Sequence, residues 1–295
     1  MSILILGCNG QVGWELQRTL SPLGRITALD IGDLDLSDTE AVRKSVREKS
    51  PALIVNAAAY TAVDKAEEEK DAAWQINAVV PGVLAEEAKA LGALLIHYST
   101  DYVYDGAKQE PYLETDPTSG VNHYGKSKLA GDEAISGSGA AHVIFRTSWV
   151  YGARGNNFLR TMLRLARERE ELRVINDQTG APTWSRHIAE ATALAAARMK
   201  TEKGSFDTGG RDGVYHLTSG GEGSWYDFAS EIFRLDPEPS LQKIKTIVPI
   251  PTSEYPTAAK RPVNSRLSGN KLASVFHLSL PDWRDSLAKV MEDLT

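Results

Sequence analysis

The sequence predicts an α/β protein: a doubly wound parallel sheet with helices on both faces, followed by a smaller lobe. Three observations carry that prediction. Short apolar runs alternate with helical patterns through roughly the first 150 residues. The first run passes through a glycine-rich turn directly into a helix. Acids, small residues and hydroxyls gather at the carboxyl ends of the runs, the edge at which open parallel sheets bind ligands.

Ser2–Leu6 is continuously apolar, as a central strand covered on both faces should be. It leads into Gly7-Cys-Asn-Gly10-Gln-Val-Gly13 and then Trp14, Leu16 and Leu20 in a helical pattern. Gly7 permits a tight turn, Gly10 lets a pyrophosphate approach the backbone, and Gly13 lets helix and strand pack closely. Arg25–Asp30 is the second strand. Its terminal Asp30 stands about twenty residues past Gly10, where a carboxylate accepts from an adenosine ribose hydroxyl. A 2′-phosphate would meet like charge there, so Asp30 favours NADH over NADPH.

Ser37-Asp-Thr-Glu40 fits a capping box opening a helix to about Lys49, with Pro51 as its stop. Leu53–Asn56 is the third strand. Ala57, Ala58 and Ala59, then Tyr60, follow at its carboxyl end, where small residues let backbone lie against a flat cofactor. Asp64–Asp71 is charge-rich and reads as a solvated helix face, and Pro81 and Gly92 bracket another helix. Leu94–Ser99 is the fourth strand, with His97 inside it as a core histidine and Thr100 and Asp101 at its carboxyl edge. The fifth strand is His142–Arg146. A helix at about Leu159–Arg169 and shorter elements follow. Residues 1–150 are therefore expected to form a dinucleotide-binding domain and 151–295 mainly a substrate-binding lobe, with some segments returning to the first domain.

Between the fourth and fifth strands lies Tyr124-Gly-Lys-Ser-Lys128. On a helix these two side chains share a face one turn apart. A free phenol titrates near about 10, and an ammonium a few ångströms away is expected to pull it down into the range of a working acid. Tyr104 and Lys108 have the same spacing, but Asp105-Gly106 between them is a turn dipeptide. Lys126–Ala134 reads as unbroken helix, so the second pair is the one expected to act.

The 295 residues carry a net charge of −6, with 42% hydrophobic and 24% charged content. No basic run suggests a nucleic-acid partner, and no apolar run suggests a membrane span. The single cysteine, Cys8, precludes an internal disulfide and suits a reducing compartment. With no cationic leader, a cytoplasmic location is expected.

Gly7/Gly10/Gly13, Asn56-Ala-Ala-Ala, Ser99-Thr-Asp-Tyr-Val, Tyr124/Lys128 and Arg146-Thr-Ser-Trp-Val-Tyr together resemble the extended short-chain dehydrogenase/reductases, whose nucleotide domain is a Rossmann fold. Longer strings resemble, more narrowly, the dTDP-4-dehydrorhamnose reductase family: Ile5–Leu16, Asn56–Glu67, Val174–Thr183 and Arg261–Leu267. This resemblance spans nearly the whole chain. It implies reduction of the C4 ketone of dTDP-4-dehydro-L-rhamnose by NADH or NADPH. Tyr124 would give the proton. Lys128 would hold the nicotinamide ribose, and Thr100 would donate to the ketone oxygen. It further implies cofactor contacts at Gln11, Val12, Asp35, Leu36 and Tyr98, and substrate contacts at Asp101, Trp149, Arg261 and Asn264, the guanidinium of Arg261 suiting a diphosphate.

Related dehydratases place an acid pair after the strand-end threonine, whereas here Asp101 is followed by Tyr102. An epimerase that retains its NAD is the runner-up activity, and a non-catalytic regulatory subunit of the methionine adenosyltransferase type is a third reading. Some reductases of this kind dimerise through a magnesium ion held by glutamates. Glu15 matches, but Arg186 stands where a further ligand is expected and would repel the cation, so no metal site is expected, and His187 and Glu190 are read as structural. A homodimer is compatible with the sequence.

Overall fold

The computed structural model describes residues 1–294. Its chain order begins with β1 (Ser2–Leu6), α1 (Gln11–Thr19), β2 (Arg25–Leu29), α2 (Thr39–Lys49), β3 (Leu53–Asn56), α3 (Lys70–Trp74), α4 (Val80–Leu91), β4 (Leu94–Thr100), α5 (His123–Ser138) and β5 (His142–Thr147). After these come β6 (Val150–Tyr151), α6 (Phe158–Glu168), β7 (Glu171–Ile175), β8 (Thr179–Gly180), β9 (Thr183–Trp184), α7 (Ser185–Met199), β10 (Gly213–His216), β11 (Gly223–Ser224), α8 (Trp225–Arg234), β12 (Thr246–Ile250), α9 (Asn270–Phe276) and α10 (Trp283–Glu292).

Six strands form one parallel sheet in the order β10-β5-β4-β3-β1-β2. Alternation along each strand divides the core in two. Ile3, Ile5, Val55, Ile96 and Phe145 face α1, α7 and α9. Leu4, Leu6, Ile54, Leu95 and Ile144 face α2, α4 and α5. The chain reverses its winding direction between β1 and β3, and the carboxyl ends of these strands open the crevice described below. A separate core joins α6, α8 and α10 around Phe228, Trp283 and Leu287. Two elements of the second half belong to the sheet layer: β10 extends it beside β5, and α7 lies against α1.

Local details differ from the sequence expectations. The cap of α2 is Asp38, whose Oδ1 accepts the Ala41 N–H at 3.0 Å, while the Ser37 hydroxyl donates to Asp35 Oδ1 at 2.8 Å. A carboxylate one residue later competes successfully for the free amides. The helix bracketed by Pro81 and Gly92 starts earlier, because α3 runs through the π-helical turn Gln75–Val79 into α4. Pro81 therefore lies inside a continuous helix, directly after the π-helical turn. Tyr104 and Lys108 share no helix: Gly106 between them has φ +76°, and Lys108 pairs with Asp116 at 2.6 Å. Among the described residues no helix is long and apolar enough to cross a membrane.

Candidate functional site

The glycine turn after β1 is dictated by close approach. Gly7 has φ +76°, and a Cβ there would lie 2.6 Å from the Ala58 nitrogen. A Cβ on Gly13 would lie 2.0 Å from the Gly7 oxygen, so α1 packs on the turn only as glycine. Gly10 caps α1 without a side-chain hydrogen bond, which leaves its first-turn amides for an anion. Asp30 ties β2 to the same turn: Oδ2 accepts the Asn9 N–H at 2.7 Å and Oδ1 accepts the Ile31 N–H at 2.9 Å. Each oxygen retains a further lone pair for a ribose hydroxyl.

A cleft of about 650 Å³ runs from this turn to Tyr124 and Lys128. It brings together every expected cofactor residue except Gly13, which packs beneath it. Gln11 and Val12 lie at the start of α1, Asp30, Asp35 and Leu36 beyond β2, Ala57–Tyr60 beyond β3, and Tyr98 on β4. The shape and the donors fit an extended dinucleotide. The cleft also takes Ile31, Ile76, Thr147, Gly155 and Asn156. Ile31 follows Asp30 directly and could have been read from that position. Gly155 and Asn156 reach the cleft from the second half, and no local pattern announces it.

The chemical end of the cleft is built on α5 and the end of β4. Asn122 starts α5 by accepting the Gly125 N–H at 2.7 Å, and a Cβ on Gly125 would lie 2.1 Å from the Tyr102 oxygen. The helix start is thereby pressed against the turn carrying Thr100 and Asp101. The Thr100 hydroxyl donates to Asp101 Oδ1 at 3.0 Å and lies beside the Tyr124 phenol. Burial lifts the Asp101 carboxyl to about 6, with hydrogen bonds from Ser265 and Thr100 opposing. Lys128 is 1% exposed. Its Nζ donates to the Tyr98 carbonyl at 2.6 Å and stands 3.0 Å from His97 Nε2.

One expectation is corrected here. Lys128 was expected to pull the Tyr124 phenol down, but in the free chain burial pushes the phenol up, with the Thr100 hydroxyl opposing and Asp101 and Asp132 adding to the rise. Burial instead brings Lys128 down to about 8, with Asp132 opposing. In a dry site the cost of desolvating both groups exceeds what one nearby charge returns. Tyr124 is thus held as a protonated phenol, the form that can give a proton.

The expected substrate residues separate into two sets. Thr100 and Asp101 adjoin Tyr124. Trp149, with φ +47°, lies on the Trp225 ring over Gly180. Arg261 forks Asp64 with contacts of 3.0 and 2.6 Å, so its guanidinium is already matched to a carboxylate. Asn264 is corrected: its Nδ2 donates to the Lys108 and Glu110 carbonyls and its Oδ1 accepts from Arg266, so the amide closes a loop and has no N–H left over for a ligand. Arg186 lies against Glu15 at 3.4 Å and Asp293 at 2.8 Å, and the neighbouring His187 is brought to about 4 by burial, Nδ1 facing the Ser286 hydroxyl at 3.2 Å.

Comparison with known proteins agrees with this geometry. The family described as the RmlD substrate binding domain matches residues 1–295. A dTDP-4-dehydrorhamnose reductase of Burkholderia thailandensis is 50% identical, covering 100% of this chain and 99% of that protein. The enzyme of the same name from Escherichia coli K12 is 47% identical, with coverages of 100% and 98%. Among solved structures, a dTDP-4-dehydrorhamnose reductase of Clostridium acetobutylicum superposes with a TM-score of 0.90 at 38% identity, covering 100% of this chain and 99% of that one. One from Bacillus anthracis, in complex with NADP, gives 0.87 at 35% identity with 99% of each chain covered. A Thermus thermophilus UDP-glucose 4-epimerase, 20% identical, shares the fold, with a TM-score of 0.80. The chain belongs to the dTDP-4-dehydrorhamnose reductase family.

Proposed function

We propose that this protein reduces the C4 ketone of dTDP-4-dehydro-L-rhamnose to give dTDP-L-rhamnose, using NADH or NADPH. The observation that carries the reading is that Tyr124 and Lys128 line the end of a cleft fitted to a dinucleotide, with the Thr100 hydroxyl beside the Tyr124 phenol. The cofactor supplies the hydride. As the carbonyl oxygen gains charge it must be met by donors already in place. Tyr124, kept protonated by burial, gives its proton to that oxygen. Thr100, beside the phenol, turns its hydroxyl to donate to the same oxygen, and Lys128 holds the cofactor's ribose with an N–H that the Tyr98 carbonyl does not take. Asp101 accepts from a sugar hydroxyl. The NADP-bound relative supports use of the phosphorylated cofactor, while Asp30 supports NADH, and the protein is expected to accept both. The lobe around α6, α8 and α10, with Trp149 and Arg261 at its border, is assigned to the nucleotide half of the substrate.

Mixing purified protein with dTDP-4-dehydro-L-rhamnose and either reduced cofactor tests this directly. Loss of reduced-cofactor absorbance with formation of the 6-deoxyhexose is expected. Inertness with both cofactors would discard the reading in favour of epimerisation or a binding role.

A further inference from the structure

Beneath the cleft, His97 is fully buried between Asn56 and Lys128. Hydrogen counting at that junction leaves one arrangement with every group satisfied. Asn56 Oδ1 accepts the Ala58 N–H at 3.2 Å, which orients the amide so that Nδ2 faces His97 Nδ1 at 3.1 Å. A neutral imidazole has one N–H and one lone pair. Since Nδ1 must accept from Asn56, the hydrogen belongs on Nε2, which stands 3.0 Å from Lys128 Nζ. An ammonium has no lone pair to receive that hydrogen, whereas an amine has one. The alternatives each set a donor against a donor. Turning the Asn56 amide over opposes Nδ2 to the Ala58 N–H, and the Nδ1–H tautomer opposes an N–H to Nδ2.

We propose that His97, oriented by Asn56, is a positioning residue that favours the amine form of Lys128 and so sets the pH at which the site loses its cation. The inference rests on the reductase reading of the site. When Tyr124 O–H gives its proton to the product oxygen, a phenolate remains. Lys128, one turn along α5, is the cation available to that phenolate as the ammonium, and as the amine its Nζ lone pair receives the His97 Nε2–H. The groups around Lys128 divide accordingly. Asp132, one turn along α5, favours the ammonium: its Oδ2 accepts from Arg146 Nε at 3.0 Å and from the Ser99 hydroxyl at 2.9 Å, and its buried Oδ1 has no hydrogen-bond partner. Tyr124 lies one turn back, and the Tyr98 carbonyl accepts from either form of the lysine. Burial acts in the same direction as His97.

Nitrogen NMR on the full-length protein with labelled histidine tests the tautomer without any substitution, His97 being assigned by its contacts to Asn56 and Lys128. Neutral Nε2–H imidazole from about pH 6 to 9 is expected. An Nδ1–H imidazole, or a cation, would overturn the proposal. Carbon NMR of the Lys128 Cε then follows the lysine in His97→Gln, whose amide oxygen can turn toward Nζ and accept from an ammonium. The titration midpoint should rise by at least about one unit, a tenfold change in the equilibrium, and the alkaline limb of kcat should move with it. An unmoved midpoint in a folded variant overturns the proposal. Turnover by the unsubstituted protein judges the reductase reading separately.

Discussion

Trp149 lies flat on Trp225, ring centroids 3.6 Å apart and planes within 9°, with Gly180 against the edge of the first indole. The stack holds because nothing projects from residue 180: a Cβ there would come 2.7 Å from Trp149 Cε2. Trp149 also sits in the left-handed region, which only a well-packed side chain sustains.

Gly180→Ala is therefore expected to push the two indoles apart. Overpacking of this kind costs about 1–3 kcal/mol. Denaturant unfolding should show that loss, and near-ultraviolet circular dichroism should lose the signature of coupled indoles. Unaltered spectra would mean that the ring is free to move and that the stack is not fixed by the space at 180.

Tyr124→Phe should lower turnover at least ~10²-fold while cofactor still binds, as expected for loss of a general acid. Single-turnover kinetics and a cofactor titration check the two halves of the statement. Turnover close to that of the unsubstituted protein would remove Tyr124 from the reaction.

Lys128 gives a pH signature in stability. Its folded-state value near 8 lies below the ordinary 10.5, so between those values the unfolded chain binds more protons than the folded one. Stability from this group consequently rises with pH across that window, and below it the buried cation is a cost of about 3 kcal/mol. Lys128→Met removes the titration. Relative to the parent, the variant should be most favoured at neutral pH, and that advantage should shrink as pH passes from 8 to 10.5. Chemical denaturation at a series of pH values reads it, and a constant difference would refute the assignment.

Asp30→Ala should weaken NADH more than NADPH, because the carboxylate accepts from a ribose hydroxyl and opposes a phosphate. The Asn9 N–H loses its acceptor in both cases. The ratio of the two dissociation constants is the decisive quantity. A ratio that stays put would assign Asp30 to turn structure only.

Much of the nucleotide half was legible from residues close in sequence. Ser2–Leu6, the three glycines and Asp30 speak through run length, spacing and strand-end position, which local sterics impose. Tyr124 and Lys128 could be chosen over Tyr104 and Lys108 because Asp105-Gly106 breaks a helix. What stayed hidden depends on partners far apart in the chain. The pairing of Arg261 with Asp64, 197 residues away, has no local signal. Asn264 reads as a free amide until the Lys108 and Glu110 carbonyls close on it. His97 reads as a core histidine, which its burial bears out, but its two polar neighbours come from β3 and α5 and have no local signal. The cap of α2 moved by one residue because serine and aspartate at adjacent positions both can cap, and only the backbone geometry chooses.

The placement of β10 and α7 has a consequence for synthesis of the chain. A ribosome that has released only the first 150 residues has made five strands, with the outer edge of β5 unpaired and the flank of α1 bare. Such an intermediate offers a strand edge to any neighbouring nascent chain. Folding of the sheet is expected to wait until residue 216 has emerged and paired, so a chain cut short near 150 should be recovered as aggregate and not as a soluble cofactor-binding fragment.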